Sequence, residues 1–195
     1  MGIVRMSVLA SAASLLLAGT VAVGQISGSA KASGVSAADQ KFMDKAAQGG
    51  MAEVELGQLA EQNGGSQNVK DFGKRMVDDH SKANDQLKQL ASQKGVTLPT
   101  GLDAKDEATK NRLSKLQGAA FDKAYMKDMV MDHKQDVAEF KKESMSAHDS
   151  DLKSWAGQTL PTLESHLQQA EKIDANTTMG KNSGAMNNST DSMAH

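Results

Sequence analysis

Three histidines and one glutamate stand where a buried helical stripe calls for apolar side chains. Followed at a spacing of three to four residues, one stripe reads Val69, Phe72, Met76, His80, Ala83, Leu87, Leu90. A second reads Tyr125, Met126, Met129, His133, Val137, Phe140, and a third Leu152, Trp155, Thr159, Leu163, His166, Ala170, Ile173. A fourth, Phe42, Ala46, Gly49, Glu53, Leu56, Ala60, has Glu53 as its charged member. Each stripe therefore offers one metal-ligating group near its middle. Neutral imidazoles and a carboxylate converging inside a bundle suit Zn, Cu, Fe or Mn. Without partners, they are what a dry core avoids. The expectation is one transition-metal ion held by Glu53, His80, His133 and His166. Asp79 and Asp132 directly precede two of the histidines, about 100° around the helix. They are read as acids that pair with a neighbouring helix, as outer acceptors that orient the ligands, or as ordinary flanking charges. Residues Val77, Val130 and Leu163 stand three before the histidines, so the Glu-x-x-His pair of di-iron carboxylate proteins is absent and a ferroxidase-type centre is not expected.

Five helices must position these groups. The first spans 37–63, opened by Ser36 with Asp39 three residues on, as in a capping box, and stopped by Asn63-Gly64-Gly65. Ser66 caps a second helix that runs to Lys94 and stops at Gly95. Asp103 caps a short third helix ending near Gly118. The fourth covers about 119–147, and Asp149 caps a fifth that reaches about Ala175. Four of the five are about 26 residues long, or ~40 Å each. Their tight turns make two antiparallel hairpins, joined by a long crossover that carries the short helix. That is the connectivity of a ferritin-like four-helix bundle. Counted from the turns at ~1.5 Å per residue, the four polar groups differ in height by ~9 Å at most. Histidines more than ~10 Å apart could not share an ion, since Zn–N bonds are ~2 Å long. A weak repeat, 69–73 against 152–156, hints at a duplicated hairpin.

The two ends are not expected to belong to the fold. Arg5 and the apolar run from Val8 to Val23 read as a signal peptide, followed by a small-residue linker to residue 32. The bundle is placed at 33–175. From 176 to 195 the chain is Asn, Ser, Thr, Gly and Met, read as a disordered tail. No second apolar run follows, so the mature chain carries no expected membrane span and is placed in the periplasm or outside the cell. The absence of Cys excludes disulfides, iron–sulfur clusters, thiol catalysis and covalent c-type haem. The 22 basic and 24 acidic residues build no field for nucleic acid. With one Trp, one Tyr and four Phe, base-stacking surfaces are not expected either.

Several segments resemble a known family. They are 46–57 (AAQGGMAEVELG), 72–84 (FGKRMVDDHSKAN), 94–99 (KGVTLP), 120–126 (AFDKAYM), Asp132-His133, and 159–163 (TLPTL) through His166. Over about Ala37 to Ile173 they resemble DUF4142, a group of exported bacterial proteins of unknown function. The resemblance implies a ferritin-like bundle and no particular activity. No Gly-x-Ser-x-Gly, phosphate-binding loop or other nucleophile motif occurs, so the expected protein is an exported, non-enzymatic bundle with a metal site in its core. Export without a catalytic motif suggests a role in envelope stress. Its rivals are a metal-free structural or protein-interaction bundle, with protein partners or self-association, and a metal-dependent oxidase.

Overall fold

The computed structural model describes residues 34–186, with side chains placed as far as residue 178. The leader expected over 1–32 and the last part of the tail, 187–195, lie outside the described residues. The helices are α1 Ala37–Asn63, α2 Gln67–Lys94, α3 Ala104–Leu113, α4 Gly118–Ser146 and α5 Ser150–Met186. The architecture is all-α, a ferritin-like four-helix bundle. The α1–α2 and α4–α5 pairs are its antiparallel hairpins, and α3 rides on the crossover between them, packed on α1 and α4.

The helix ends follow from their capping residues. The Ser66 hydroxyl accepts from the Val69 amide at 3.3 Å, and the Asp103 carboxylate from the Asp106 amide at 2.8 Å. Asp149 accepts from the amides of Asp151 and Leu152, both at 3.0 Å. Gly95 ends α2 in the left-handed region, φ 67°, a conformation that costs a residue with a Cβ. The capping box expected at α1 is only half made. Ser36 accepts from the Asp39 amide at 3.1 Å, but the Asp39 carboxylate turns to the other hairpin, where it receives the amides of His148 and Asp149 at 3.2 and 2.9 Å.

The last helix continues to Met186, past the end expected near Ala175. Among the described side chains its last buried position is Ile173, and residues 174–178 are exposed or half-buried. Composition there forbids burial. It does not forbid propagation of a helix already nucleated, which needs one bond per added residue. The hydroxyls of Thr177 and Thr178 fold back onto the Asp174 carbonyl at 2.8 Å.

Apolar burial falls into two clusters. One joins Phe42, Met43, Leu87, Leu90, Phe140, Leu152 and Trp155; the other joins Leu56, Val69, Phe72, Met76, Tyr125, Met126 and Ile173. Fully burying each large apolar side chain contributes about 1.5–3 kcal/mol. The first cluster takes the start of α1, the end of α2, the end of α4 and the start of α5, and the second takes the opposite ends. They are therefore stacked along the bundle. His80, His133, His166 and Glu53 each fall between a member of one and a member of the other on their own helix. Near this layer α1 and α2 touch backbone to backbone. A Cβ on Gly73 would stand 2.6 Å from the Ala60 Cβ and 2.7 Å from the Gly57 carbonyl oxygen.

The repeat glimpsed in the sequence runs through the whole structure at one offset, 83 residues (149 − 66 for the two caps). The same step carries Phe42 to Tyr125, Met43 to Met126, Phe72 to Trp155 and Leu90 to Ile173, and in each pair one residue belongs to each cluster. It also carries Asp39 to Asp122. Asp122 accepts from the amides of Gly65 and Ser66 at 2.8 and 2.9 Å, so each hairpin's first helix holds the other hairpin's turn.

Candidate metal centre

His80 on α2, His133 on α4 and His166 on α5 are 6%, 0% and 0% exposed. Their ring centroids lie 5.3–5.7 Å apart, well inside the limit for sharing one ion. One ring nitrogen from each lies within 4.8 Å of the others. Three points at that limit have a centre about 2.8 Å from each, so an inward shift of about 0.7 Å per imidazole reaches a Zn–N bond of ~2.0–2.1 Å. Side-chain torsions supply a shift of that size.

The hydrogen bonds assign the tautomers. His133 Nδ1 lies 3.0 Å from the Met129 carbonyl oxygen, one turn earlier on α4. A carbonyl only accepts, so Nδ1 carries the proton and the Nε2 lone pair is free. His166 Nε2 lies 2.7 Å from the Asp79 carboxylate on α2, which puts the proton on Nε2 and the lone pair on Nδ1. His133 Nε2, His166 Nδ1 and His80 Nε2 are all buried without a hydrogen-bond partner in the protein. Burial lowers the affinity of all three rings for a second proton. It pushes His133 down to about 3, with the neighbouring His166 adding to the effect. It also pushes His80 well below the ordinary range, with His133 and His166 adding to the effect. At His166 burial again dominates, partly offset by the Asp79 bond. Three neutral imidazoles therefore face one another across an apolar layer, each with a buried ring nitrogen that the protein leaves without a partner.

Asp79 is itself held. Arg75 donates to it from Nε at 3.2 Å and reaches across to α5, to Gln169 at 2.7 Å and Ser165 at 3.1 Å. Asp79 thus pairs with a neighbouring helix, bonding His166 on α5 and not its chain neighbour His80. Asp132 bonds Lys105 on α3 at 3.2 Å, so it too pairs with a neighbouring helix, away from the histidines. Arg75 went unmarked in the sequence, because a cation four residues before an acid is ordinary on a helix surface.

Glu53 is buried beside the triad, not within it. Its Oε1 lies 3.7 Å from His133 Nδ1, the nitrogen already engaged by Met129, and its Oε2 has no partner. Burial, then the charges of Asp136, Asp132, Asp106 and Asp128, raise its carboxyl well above the ordinary range. The histidine is neutral and burial disfavours the carboxylate, so the 3.7 Å contact is at most a weak ion pair, and it is too long for a good hydrogen bond. Of the four expected donors the structure groups three. Three protein ligands would leave a coordination position open.

Two clefts reach the layer. One, of about 220 Å³, borders Glu53 and His80 and opens among α1, α3 and α4. The other, of about 240 Å³, borders Asp79, His80 and His166 between α2 and α5. Asp136 lines the first. Burial, then Asp132 and Glu139, push its carboxyl from the ordinary 3.8 up to about 7. A carboxyl whose folded value lies above its unfolded one penalises the fold once pH exceeds the unfolded value, and fully above the folded one. Asp136→Asn is therefore expected to stabilise the chain by up to about 4 kcal/mol at pH 8, with the difference gone by pH 4. Urea denaturation at the two pH values checks this. Spacing could have flagged Asp136, which lies three residues after His133 and so on the same side of α4.

Fold and site together define a ferritin-like four-helix bundle with a buried histidine triad at mid-height. The chain belongs to the family described as Domain of unknown function (DUF4142), which matches residues 25–173. Among solved structures it is similar to the crystal structure of a DUF305 fragment from Deinococcus radiodurans. The two share 13% identity and a TM-score of 0.65, over 73% of this chain and 98% of that one. At that identity the likeness speaks for the fold. No curated protein matches the chain.

Proposed function

We propose that this chain binds one transition-metal ion in the bundle core, on His80, His133 and His166, and that it does so outside the cytoplasm after loss of its N-terminal leader. One observation carries the reading: three buried, neutral imidazoles each keep one ring nitrogen without a partner, and the three rings converge. A core that needed histidines only for structure would satisfy both nitrogens. Glu53 supplies a neighbouring carboxyl that a cation would ionise, and the Asp79 bond fixes His166 with its lone pair inward. Imidazole ligands suit Zn, Cu, Fe and Mn in different measure, and N/O sites usually favour Cu and Zn over Fe and Mn.

The bonds from His133 to Met129 and from His166 to Asp79 favour a rival reading, a metal-free structural or interaction bundle. Elemental analysis separates the two. The chain purified without a His tag and exposed to Zn2+, Cu2+, Fe2+ and Mn2+ should retain close to one ion per molecule, and His80→Ala/His133→Ala none. A parent that retains none of the four ions leaves the histidines structural.

A further inference from the structure

The two clefts differ in charge. Besides Glu53 and His80, the cleft among α1, α3 and α4 is lined by Asp103, Asp106, Asp132, Asp136 and Glu139 against two lysines. Lys45 is tied to Glu139 at 3.3 Å and Lys105 to Asp132 at 3.2 Å. The carboxylates still outnumber the ammonium groups by three (5 − 2). The cleft between α2 and α5 carries one acid, Asp79, which is already bonded to Arg75 and His166, and it also carries Lys82. Acids alone would be a solvated face. Here the same cavity is also lined by two side chains more than nine-tenths buried, Glu53 and His80, each with an unpartnered polar atom. Among the described residues these acids do not form a tight ligand group as the histidines do, so they suit passage better than residence.

From this we infer that the acidic cleft among α1, α3 and α4 is the path by which a divalent cation reaches the histidine triad, with Asp106 and Asp136 drawing it in and Glu53 receiving it at the inner end. The inference rests on the metal-binding reading above. A low-dielectric cleft lined by one sign of charge concentrates counter-ions and speeds association by about 10–1,000-fold, an effect that salt suppresses. The cation passes from hydrated carboxylates to a buried carboxyl and then to imidazole, losing water in steps.

The test times Zn2+ uptake by the full chain at pH 8 and low ionic strength, in a stopped-flow instrument, with a fluorescent indicator reporting the remaining free ion. Zn2+ is a fair probe, because an N/O site that holds Fe2+ or Mn2+ generally holds Zn2+ more tightly. Asp106→Asn/Asp136→Asn is compared with Asp71→Asn/Asp85→Asn, the same charge change at exposed α2 positions outside both clefts. The first variant should fold, because burial already favours the neutral carboxyl at both positions. It should take up Zn2+ about tenfold more slowly than the second, with the gap closing at high salt and the final amount of bound ion unchanged. Uptake no slower than in the Asp71/Asp85 variant overturns the path and leaves the triad standing. A parent that takes up neither Zn2+ nor, in the same assay, Cu2+ overturns both.

Discussion

Zn2+ at about a thousand times its Kd should raise the thermal midpoint of this chain by ~10 °C, and His133→Ala should abolish the rise. A ligand bound only by the folded state stabilises it by about 4 kcal/mol at that excess. For a domain of this size, each kcal/mol moves the midpoint by about 2–4 °C. The apo protein sharpens the argument. A buried polar atom without a partner costs about 1–3 kcal/mol, and His80 carries one. His80→Leu should therefore unfold higher than the parent when both are free of metal, by about 1 kcal/mol, and lower than the parent when both are saturated. Such a crossing is the mark of a group retained for binding at a cost in stability. Structural histidines predict the opposite: both substitutions destabilise, and Zn2+ changes nothing. Differential scanning fluorimetry of the three proteins, with chelator and with Zn2+, reads both outcomes.

Much of this site was legible from periodicity. A histidine on an apolar stripe announces its own burial, and four stripes with one polar member each imply a layer. The layer's height followed from counting residues back to the turns. Helix ends were legible for the same reason, since Ser66, Gly95, Asp103 and Asp149 act on their immediate neighbours. What the sequence hid lies between helices. Nothing local says that Asp79 serves His166 and not His80, because the choice depends on how α2 and α5 are rotated against each other. Nor does anything local place Glu53 outside the triad. The 83-residue offset shows why it stands apart: it carries Glu53 to Asp136 and Gly50 to His133. Glu53 is thus the counterpart of a cleft acid, and the counterpart of a histidine is a glycine. His80 and His166 correspond to Leu163 and Ala83, so no histidine has a histidine counterpart. The scaffold repeats and the triad does not. The α5 extension was hidden for a different reason, since composition reports burial more reliably than helix length.

The largest structural loss should come from the two carboxylates that clasp the hairpins. Asp122→Ala is expected to cost about 3 kcal/mol, and Asp39→Ala a similar amount. Each removes an acceptor from two backbone amides, and hydrogen bonds to charged groups are worth about 1.5–3 kcal/mol apiece. The two carboxylates are 5% and 1% exposed, so little solvent is at hand to take over from them. They sit at opposite ends of the bundle, one on each turn, so their effects should add. The double variant then loses about 6 kcal/mol, comparable with the 5–15 kcal/mol that holds an ordinary domain together, and should be largely unfolded at 37 °C. Asp122→Asn keeps one acceptor oxygen and should lose about half as much as Asp122→Ala. Acid should act through the same clasp. Burial alone would raise the Asp39 carboxyl, but the amides of His148 and Asp149 and the Ser36 hydroxyl hold it below its ordinary value. A lowered folded value stabilises the fold above the unfolded one, and the gain is lost as pH falls through the folded one. Parent stability should therefore drop below about pH 4, the ordinary carboxyl range. The drop in Asp39→Ala should be shallower, because that variant has already lost what acid would remove. Urea midpoints for the parent, the two single variants and the double variant, taken from pH 7 down to pH 3, test the clasp. Equal midpoints for Asp39→Ala and the parent at pH 7 would show that the turn amides find other acceptors and that the hairpins are held by apolar packing alone.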